Sequence, residues 1–313
     1  MRMSFLTSVV DGTDFLDQML ASLVAQTFKD FELVLVIDKP DKLKIESGLI
    51  DIAEGYRKHF PITVIKNQKR LGLTASLNLA ADAAIADVFV RIDADDLCLP
   101  DRAATIISYF ESGFNFVGNA TILKNEHGDT VGKYPKHMLS HKKAHFMLTR
   151  FRRVAAHSGF AFSRDLFVRL GGYDNHYRFS QDFDFALRAI EATSSLDFVV
   201  LNTPLSVVTL HPKSISQSFN RKTQLIYQVE ALLRHNYRVA NNGIETVQKD
   251  IAKMITSQHL WQYIKKSQEF KARMRSASRL LMILSWFTNP KSWALVLIER
   301  QLLRRMVKNI QLR

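Results

Sequence analysis

The sequence predicts an α/β fold with a mostly parallel sheet, followed by a helical C-terminal extension. Short apolar runs alternate with segments of helical periodicity through the first 220 residues, which is the pattern of strand–helix–strand units. The chain of 313 residues is 47 % hydrophobic and 23 % charged, values typical of a globular protein with a sizeable core. After residue 220 the apolar runs give way to amphipathic helical patterns.

The elements follow one another in alternating order. The turn-forming residues 11–14 come after the first strand. The nearly continuous apolar run 31–37 predicts a strand that is covered on both faces. The predicted strands are residues 3–10, 31–37, 62–65, 88–92 and 114–119, and the predicted helices are residues 15–26, 74–86 and 102–110.

Two later regions have a different character. Residues 124–153 predict a polar loop that contains a hairpin-like turn at 126–129 and leads into a helix. Residues 221–235 and 244–270 have the spacing of amphipathic helices. We therefore expect a catalytic domain over residues 1–220 and a helical region over residues 221–313.

The formal net charge of +13 is confined to the last third of the chain. Residues 1–220 hold 25 Lys and Arg and 25 Asp and Glu. Residues 221–270 hold eight and four, and residues 271–313 hold ten and one. A basic region of this kind indicates a polyanionic partner, which is a nucleic acid, an anionic membrane face or a phosphate-bearing ligand.

Three features predict a cytoplasmic protein. Cys98 is the single cysteine, so no intrachain disulfide can form. The N-terminal apolar run is too short and too polar for a signal peptide. The longest uncharged stretch near the C-terminus, residues 280–290, is well below the roughly 18–20 apolar residues that span a bilayer.

Carboxylates stand at the ends of two predicted strands, where open α/β sheets bind their ligands. Asp38 follows the second strand, and Asp93, Asp95 and Asp96 follow the strand that ends at residue 92. Three carboxylates within four residues repel each other unless solvent or a cation balances them, and Mg²⁺ and Mn²⁺ prefer such oxygen ligands. The run therefore predicts a metal–diphosphate site. The alternative is a polar loop in which Asp96 caps a helix.

Residues 91–102, Arg-Ile-Asp-Ala-Asp-Asp-Leu-Cys-Leu-Pro-Asp-Arg, resemble the Asp-x-Asp segment of family 2 glycosyltransferases, which have the Rossmann-like GT-A fold. The resemblance covers residues 3–217 and implies inverting transfer of a sugar from a nucleoside-diphosphate sugar to an acceptor hydroxyl, as in the synthesis of bacterial polysaccharide, O-antigen and capsule. The other segments that agree with the family, in the same order, are residues 11–16, 26–33, 71–78, 171–174, 180–188 and 211–216.

The resemblance implies contacts with the nucleotide-sugar donor. Asp38 would hydrogen-bond the nucleobase, most often uracil, and its alternative role is a helix N-cap. Asp93 would contact the ribose. Val10 stands where many relatives have an aromatic residue that stacks on the base, and Arg70 either reaches the nucleotide or is a solvated surface side chain. The donor contacts implied are Ser8, Val10, Asp38, Arg70, Asp93 and Ala94.

The resemblance also implies a divalent cation and a general base. Asp95 would ligate Mn²⁺ or Mg²⁺ directly and Asp93 through a water, while His211 would complete the shell or contact the diphosphate. Asp182 would be the general base that inversion requires, and its alternative role is a helix N-terminal carboxylate favoured by the dipole. The implied substrate and acceptor contacts are His157, Ser158 and Gln181.

Asp184 is expected to have a structural role. On a helix that begins near residue 182, its side chain points about 200° away from that of Asp182. Arg188 lies four residues further on, within reach of an ion pair. We therefore expect a structural contact between Asp184 and Arg188, or a capping role for Asp184.

The tail after residue 271 combines aromatic and basic side chains. An apolar and aromatic face beside a basic one is typical of a helix lying on an anionic leaflet. We therefore expect a peripheral protein on the inner face of the cytoplasmic membrane, where many family members extend glycans on polyprenyl-diphosphate carriers. The alternative is that these helices pack on the catalytic domain or form an oligomer. The membrane contacts expected are Trp286, Phe287, Trp293, Arg300, Arg304 and Lys308.

Two other functions compete with glycosyl transfer. A nucleic-acid-binding protein would use the basic tail, but the chain has no RNA-binding motif and no basic stripe is expected in residues 1–220. A sugar nucleotidyltransferase would need a Gly-rich basic phosphate loop after the first strand, where residues 11–14 are Asp-Gly-Thr-Asp. We therefore expect a nucleotide-sugar donor, a glycan or polyprenyl-diphosphate-linked acceptor, and no nucleic acid partner.

Overall fold

The computed structural model describes residues 1–38, 43–210 and 221–240. Residues 1–148 and 152–224 form one compact unit, which contains the sheet. None of the helices in the described residues is long and apolar enough to cross a membrane. The predictions that lie outside the described residues are those for His211, the helix 244–270 and the tail residues Trp286, Phe287, Trp293, Arg300, Arg304 and Lys308.

The described residues contain strands and helices in alternation. The strands are β1 (Met3–Val9), β2 (Phe31–Ile37), β3 (Ile62–Lys66), β4 (Val88–Arg91), β5 (Asp96–Cys98), β6 (Phe116–Lys124), β7 (Thr130–Tyr134), β8 (Leu139–Ser140), β9 (Phe160–Ser163) and β10 (Phe198–Thr209). The helices are α1 (Thr13–Val24), α2 (Leu43–Tyr56), α3 (Leu73–Ala83), α4 (Arg102–Glu111), α5 (His141–Leu148), α6 (Arg164–Arg169), α7 (Gln181–Ala192) and α8 (Arg221–Ala240). A short 3₁₀ helix, His157–Gly159, precedes β9.

The sheet confirms the predicted α/β class and adds antiparallel strands to it. Its strand order is β3-β2-β1-β4-β9-β6-β10-β5, with β7 beside β6 and β8 beside β10. The strands β3, β2, β1 and β4 are parallel, so their carboxyl ends meet at one edge. β9 runs antiparallel to both β4 and β6. The predicted hairpin turn connects β6 to β7.

The parallel strands form the interior because helices cover both of their faces. All seven residues of β2 are buried, as its continuous apolar run predicts. Glu32 is the polar member of that run, and its Oε1 accepts hydrogen bonds from the Ser4 hydroxyl at 2.6 Å and from the Ile85 N–H at 2.7 Å. These bonds satisfy the buried carboxylate. The helix α2 was not predicted, since only Leu49 and Ala53 of it are buried.

The loop between α6 and α7 is attached to α3 by hydrogen bonds. The Asn78 side chain accepts from the Tyr173 N–H at 2.9 Å and donates to the Tyr173 carbonyl at 2.8 Å. The Thr74 hydroxyl donates to the Tyr177 carbonyl at 2.7 Å. The Tyr173 ring is buried against Phe162, Phe167 and Phe185, so this loop is held on a rigid aromatic base.

Gly172 supplies a test of this loop, because its φ is +71° and an added Cβ would lie 3.0 Å from Asn78 Oδ1. We expect Gly172→Ala to lower the free energy of unfolding by about 2–3 kcal/mol, through both backbone strain and this close contact. Gly171→Ala is a matched control, with a φ of +70° and no atom within 4 Å of the added Cβ; it is expected to cost about 1 kcal/mol. Denaturant unfolding measures both, and equal losses would contradict the steric part.

Candidate active site

The predicted donor residues lie along the edge where the parallel strands end. Ser8 is half-buried in β1, and Val10 directly follows that strand. The Asp38 N–H donates to the Val9 carbonyl at 2.8 Å, which joins the ends of β1 and β2. Arg70 is exposed in the segment between β3 and α3.

The Asp38 carboxylate is buried at the start of α3 and is bound there by protein donors. Its Oδ1 accepts from Asn67 Nδ2 at 2.8 Å and from the Leu71 N–H at 2.7 Å, and its Oδ2 accepts from the Gly72 N–H at 2.8 Å. Gly72 is the N-cap residue of α3, so Asp38 binds the backbone that leads into this helix and does not cap its first turn. A carboxylate offers about four acceptor positions, which leaves room for one further donor. The nucleobase contact stays a prediction.

Two buried arginines organise the segment that follows β4. Arg91 has no exposed surface; its guanidinium donates to the Leu6 and Ile92 carbonyls and pairs with Asp93. Arg102 is equally buried and donates to the Arg91 carbonyl at 2.8 Å and to the Ser158 carbonyl. The two side chains therefore connect β1, β4, the aspartate segment and the 3₁₀ helix. The sequence does not reveal this role of Arg91 and Arg102, because both residues stand in ordinary strand and helix patterns.

The aspartate segment is a desolvated cluster of negative charge. Desolvation raises the pKa of Asp93; the Arg91 guanidinium lowers this pKa, whereas the charges of Asp95 and Asp182 raise it. Desolvation also raises the pKa of Asp96 well above its ordinary value, with further increases from Asp93 and Asp95. Ala94 is half-buried between them. The structure thus brings Asp182, from the start of α7, into the electrostatic neighbourhood of Asp93 and Asp95.

His157 and Tyr173 form a neutral pair beside this cluster. His157 Nε2 lies 2.8 Å from the Tyr173 hydroxyl. Desolvation and the positive charges of Arg91 and Arg153 hold the pKa of His157 well below its ordinary value. Desolvation raises the pKa of Tyr173, and the nearby Asp182 charge raises it further. Both side chains are therefore uncharged at neutral pH. The contribution of Tyr173 was missed, although it stands in one of the motif segments of the family.

The first turn of α7 contains two carboxylates, one with a structural contact and one that is the candidate base. Asp184 is buried and its Oδ2 accepts from Arg188 Nη2 at 2.6 Å and Nε at 2.8 Å. This confirms the predicted contact between the two residues. Asp182 is half-buried, and Gln181 beside it is buried. The catalytic role of Asp182 and the substrate contacts of Gln181, His157 and Ser158 stay predictions.

The donor set at the aspartate segment suits a hard divalent cation in an open site. Among the described residues, no group of three or more His, Cys, Asp and Glu is arranged to enclose a metal ion. Asp93 and Asp95 nevertheless offer oxygen donors within an excess of negative charge. Mg²⁺ and similar cations are commonly held by one or two carboxylates together with substrate phosphates, and these two carboxylates fit that arrangement.

A comparison with protein families assigns the chain to a class. The model of glycosyl transferase family 2 matches residues 4–171, which is more than half of the chain. The chain therefore belongs to glycosyl transferase family 2 and is a glycosyltransferase.

Curated relatives include bacterial enzymes of polysaccharide synthesis. The amylovoran biosynthesis glycosyltransferase AmsE of Erwinia amylovora is 32 % identical over 192 residues, covering 60 % of this chain and 67 % of AmsE. The O-antigen biosynthesis glycosyltransferase WbnJ of Escherichia coli is 26 % identical over 213 residues, covering 65 % of this chain and 78 % of WbnJ. The UDP-Gal:alpha-D-GlcNAc-diphosphoundecaprenol beta-1,3-galactosyltransferase of Escherichia coli is 24 % identical over 193 residues, covering 57 % of this chain and 62 % of that enzyme.

Solved structures confirm the GT-A fold. TarS of S. aureus has a TM-score of 0.59 at 17 % identity, covering 90 % of this chain but 44 % of TarS. Residues 1–349 of TarS in complex with UDP-GlcNAc have a TM-score of 0.61 at 15 % identity, covering 75 % of this chain and 66 % of that chain. GalNAc-T7 with UDP, GalNAc and Mn²⁺ has a TM-score of 0.57 at 14 % identity, covering 74 % of this chain and 48 % of that chain.

The neutral His157 predicts a pH-dependent stability. Its pKa is depressed in the folded state, so the unfolded chain binds a proton at this side chain that the folded chain excludes. Stability from this group is present above the ordinary pKa of about 6.5 and is lost as the pH falls below it. We expect His157→Gln to reduce the fall in unfolding free energy between pH 7.5 and 5.5, by up to about 1.4 kcal/mol per pH unit.

The matched control is His59→Gln, because His59 is already exposed in the folded protein. Its pH profile should follow that of the wild type in denaturant titrations at each pH. A His157→Gln profile parallel to the wild type would contradict the neutral assignment.

Proposed function

We propose that the chain is a metal-dependent inverting glycosyltransferase that uses a nucleoside-diphosphate sugar, with UDP as its nucleotide. The single observation that carries this proposal is the convergence of Asp93, Asp95 and Asp182, since the charges of Asp95 and Asp182 both act on Asp93. One carboxylate pair lies at the sheet edge that binds ligands in open α/β folds, and the third faces it from α7. In this proposal the diphosphate would bind beside Asp93 and Asp95, and the acceptor would bind beside Asp182.

The donor is bound at the carboxyl edge of the parallel strands. Asp38 and the Leu71 and Gly72 backbone form one wall there, and Ser8, Val10, Arg70, Asp93 and Ala94 are the further donor contacts proposed. A UDP-sugar is supported by the nucleotides that the structures of TarS and GalNAc-T7 contain. Asp93 and Asp95 would hold Mn²⁺ or Mg²⁺, with His211 as a further ligand from outside the described residues. When bound, the cation stabilises the negative charge of the leaving nucleoside diphosphate.

Catalysis is proposed to proceed by a single displacement. The Asp182 carboxylate takes the proton of the acceptor hydroxyl as its oxygen bonds to the anomeric carbon, and the bond from that carbon to the diphosphate oxygen breaks on the opposite face. His157, Ser158 and Gln181 are the proposed contacts to the sugar and acceptor.

The acceptor is proposed to be a glycan on a polyprenyl diphosphate, in the synthesis of a bacterial surface polysaccharide. AmsE, WbnJ and the galactosyltransferase acting on a diphosphoundecaprenol substrate support this class. A peripheral position on the inner face of the cytoplasmic membrane follows from such an acceptor and from the basic tail.

Asp182→Asn tests the general base. The variant should bind a UDP-sugar with unchanged affinity but transfer sugar about 10²- to 10⁴-fold more slowly, because the amide cannot accept the proton. A screen of nucleotide sugars by Mn²⁺-dependent thermal stabilisation identifies the donor, and product formation on a lipid-linked acceptor measures the rate. Asp165→Asn is the control, since that carboxylate is 72 % exposed and pairs only locally, with Arg169. A wild-type rate of sugar transfer by Asp182→Asn would refute the role of Asp182 as the general base.

Removal of the cation tests the metal site. EDTA should abolish transfer and added Mn²⁺ should restore it. In Asp95→Asn the Mn²⁺ concentration for half-maximal activity should rise at least about tenfold, which corresponds to ~1.4 kcal/mol. The control is Asp87→Asn, whose carboxylate is 97 % exposed. Full activity in EDTA would refute metal dependence.

A further inference from the structure

Residues 1–220 have no net charge, but their basic and acidic residues are unevenly distributed along the chain. Residues 130–164 contain eight Lys and Arg and no Asp or Glu, whereas the other residues of 1–220 contain 17 Lys and Arg against 25 Asp and Glu. The expectation that residues 1–220 have no basic stripe is therefore wrong for this segment. The segment includes β7, β8, α5 and β9.

Helix α5 presents a face on which basic and aromatic side chains alternate. Its buried residues are Ala144, Met147 and Leu148. The exposed side carries Lys142, Lys143 and Phe146. Phe146 follows Lys142 by four residues and Lys143 by three, so its ring lies between the two lysines on the helix surface. The Phe146 side chain is 51 % exposed, so about half of this apolar side chain is accessible beside the two cations.

Further cations flank this helix in the same compact unit. Lys136 is exposed before β8, and Arg152 and Arg153 are exposed after α5. None of these three residues, nor Lys142 or Lys143, forms an ion pair with a carboxylate of the described residues. The charge of Arg153 lowers the pKa of His157, so the basic surface continues to the edge of the candidate active site.

We propose that this basic surface, defined by Lys136, Lys142, Lys143, Phe146, Arg152 and Arg153, docks the catalytic unit on an anionic lipid membrane. Anionic headgroups complement the unpaired cations, and an aromatic ring between them inserts at the headgroup level. A soluble polyanion would pair with the cations but would not bury the accessible half of the Phe146 side chain, as the headgroup region of a bilayer would. The inference rests on the proposed membrane-linked acceptor. It adds to the basic tail a second contact, one that would orient the active site toward the bilayer.

The test uses the full chain carrying Lys142→Gln and Lys143→Gln. Each lysine at an anionic surface contributes about fivefold to the binding constant, so the double variant should lose roughly 25-fold in affinity for vesicles of phosphatidylglycerol and phosphatidylcholine. Lys44→Gln with Lys58→Gln is the matched control, because both lysines are exposed and the charge change is the same. Cosedimentation measures the affinities. Equal losses in the two double variants would overturn the proposal.

Phe146→Ser provides an independent arm. It should weaken vesicle binding severalfold while leaving the salt dependence of binding unchanged, because it removes apolar insertion and no charge. Vesicle binding that is unaffected by all three surface substitutions, together with a loss of affinity for single-stranded RNA in the lysine variant, would refute the membrane assignment in favour of a nucleic acid.

The same assays separate this proposal from the proposed function. The lysine and Phe146 variants should hydrolyse the donor at the wild-type rate in detergent solution, because none of these side chains belongs to the donor site. Asp182→Asn should bind vesicles like the wild type while losing transfer. If the lysine and Phe146 variants hydrolyse the donor at the wild-type rate and also bind vesicles like the wild type, the docking surface alone is refuted. If Asp182→Asn transfers sugar at the wild-type rate, the catalytic assignment alone is refuted.

Discussion

The buried guanidinium of Arg91 is the charge on which the rest of the site depends. It donates to the Leu6 carbonyl within β1 and to the Ile92 carbonyl just after β4, and it pairs with Asp93. One cation therefore joins β1, the end of β4 and the first carboxylate of the cluster. Removing Asp93 would leave the buried Arg91 charge uncompensated, which is destabilising. Because Asp95 and Asp182 also act on Asp93, the negative charge exceeds what Arg91 balances. This excess of negative charge does not stabilise the fold, but it favours the binding of a cation.

The aspartate segment and the pair of His157 and Tyr173 present different kinds of group to the candidate active site. The strand-end side carries carboxylates under mutual repulsion, whereas His157 and Tyr173 are kept neutral by desolvation and by the surrounding charges. Neutral polar groups orient a substrate through hydrogen bonds without attracting counterions, and ionised carboxylates bind metal or protons. Desolvation acts on both kinds of group, so the division follows from their chemistry: desolvation favours the neutral form, which is the ordinary form of a tyrosine at neutral pH but not of a carboxyl group.

The sequence predicted the parts of the site that depend on local pattern. An apolar run followed by acidic residues places Asp38 and the aspartate segment at strand ends, and helix geometry alone predicted the pairing of Asp184 with Arg188. The pair of His157 and Tyr173 could not be found this way, because its two members meet only through the packing of separate elements. Tertiary packing likewise decides that β9 runs antiparallel between β4 and β6. The periodicity of residues along one strand carries no information about the direction of its neighbours.

Helix α3 connects the strand end at Asp38 with the loop that leads to α7. Asp38 binds the Leu71 and Gly72 N–H groups just before it, and Thr74 and Asn78 bind the loop that carries Tyr173 and leads to α7. In the proposed function, one turn of helix thereby sets the distance between the nucleotide side and the acceptor side of the site. Deleting a single residue between Thr74 and Asn78 would rotate the second anchor by about 100° and withdraw it by about 1.5 Å. The length of this turn is therefore under a stricter constraint than the identity of the side chains that point away from it.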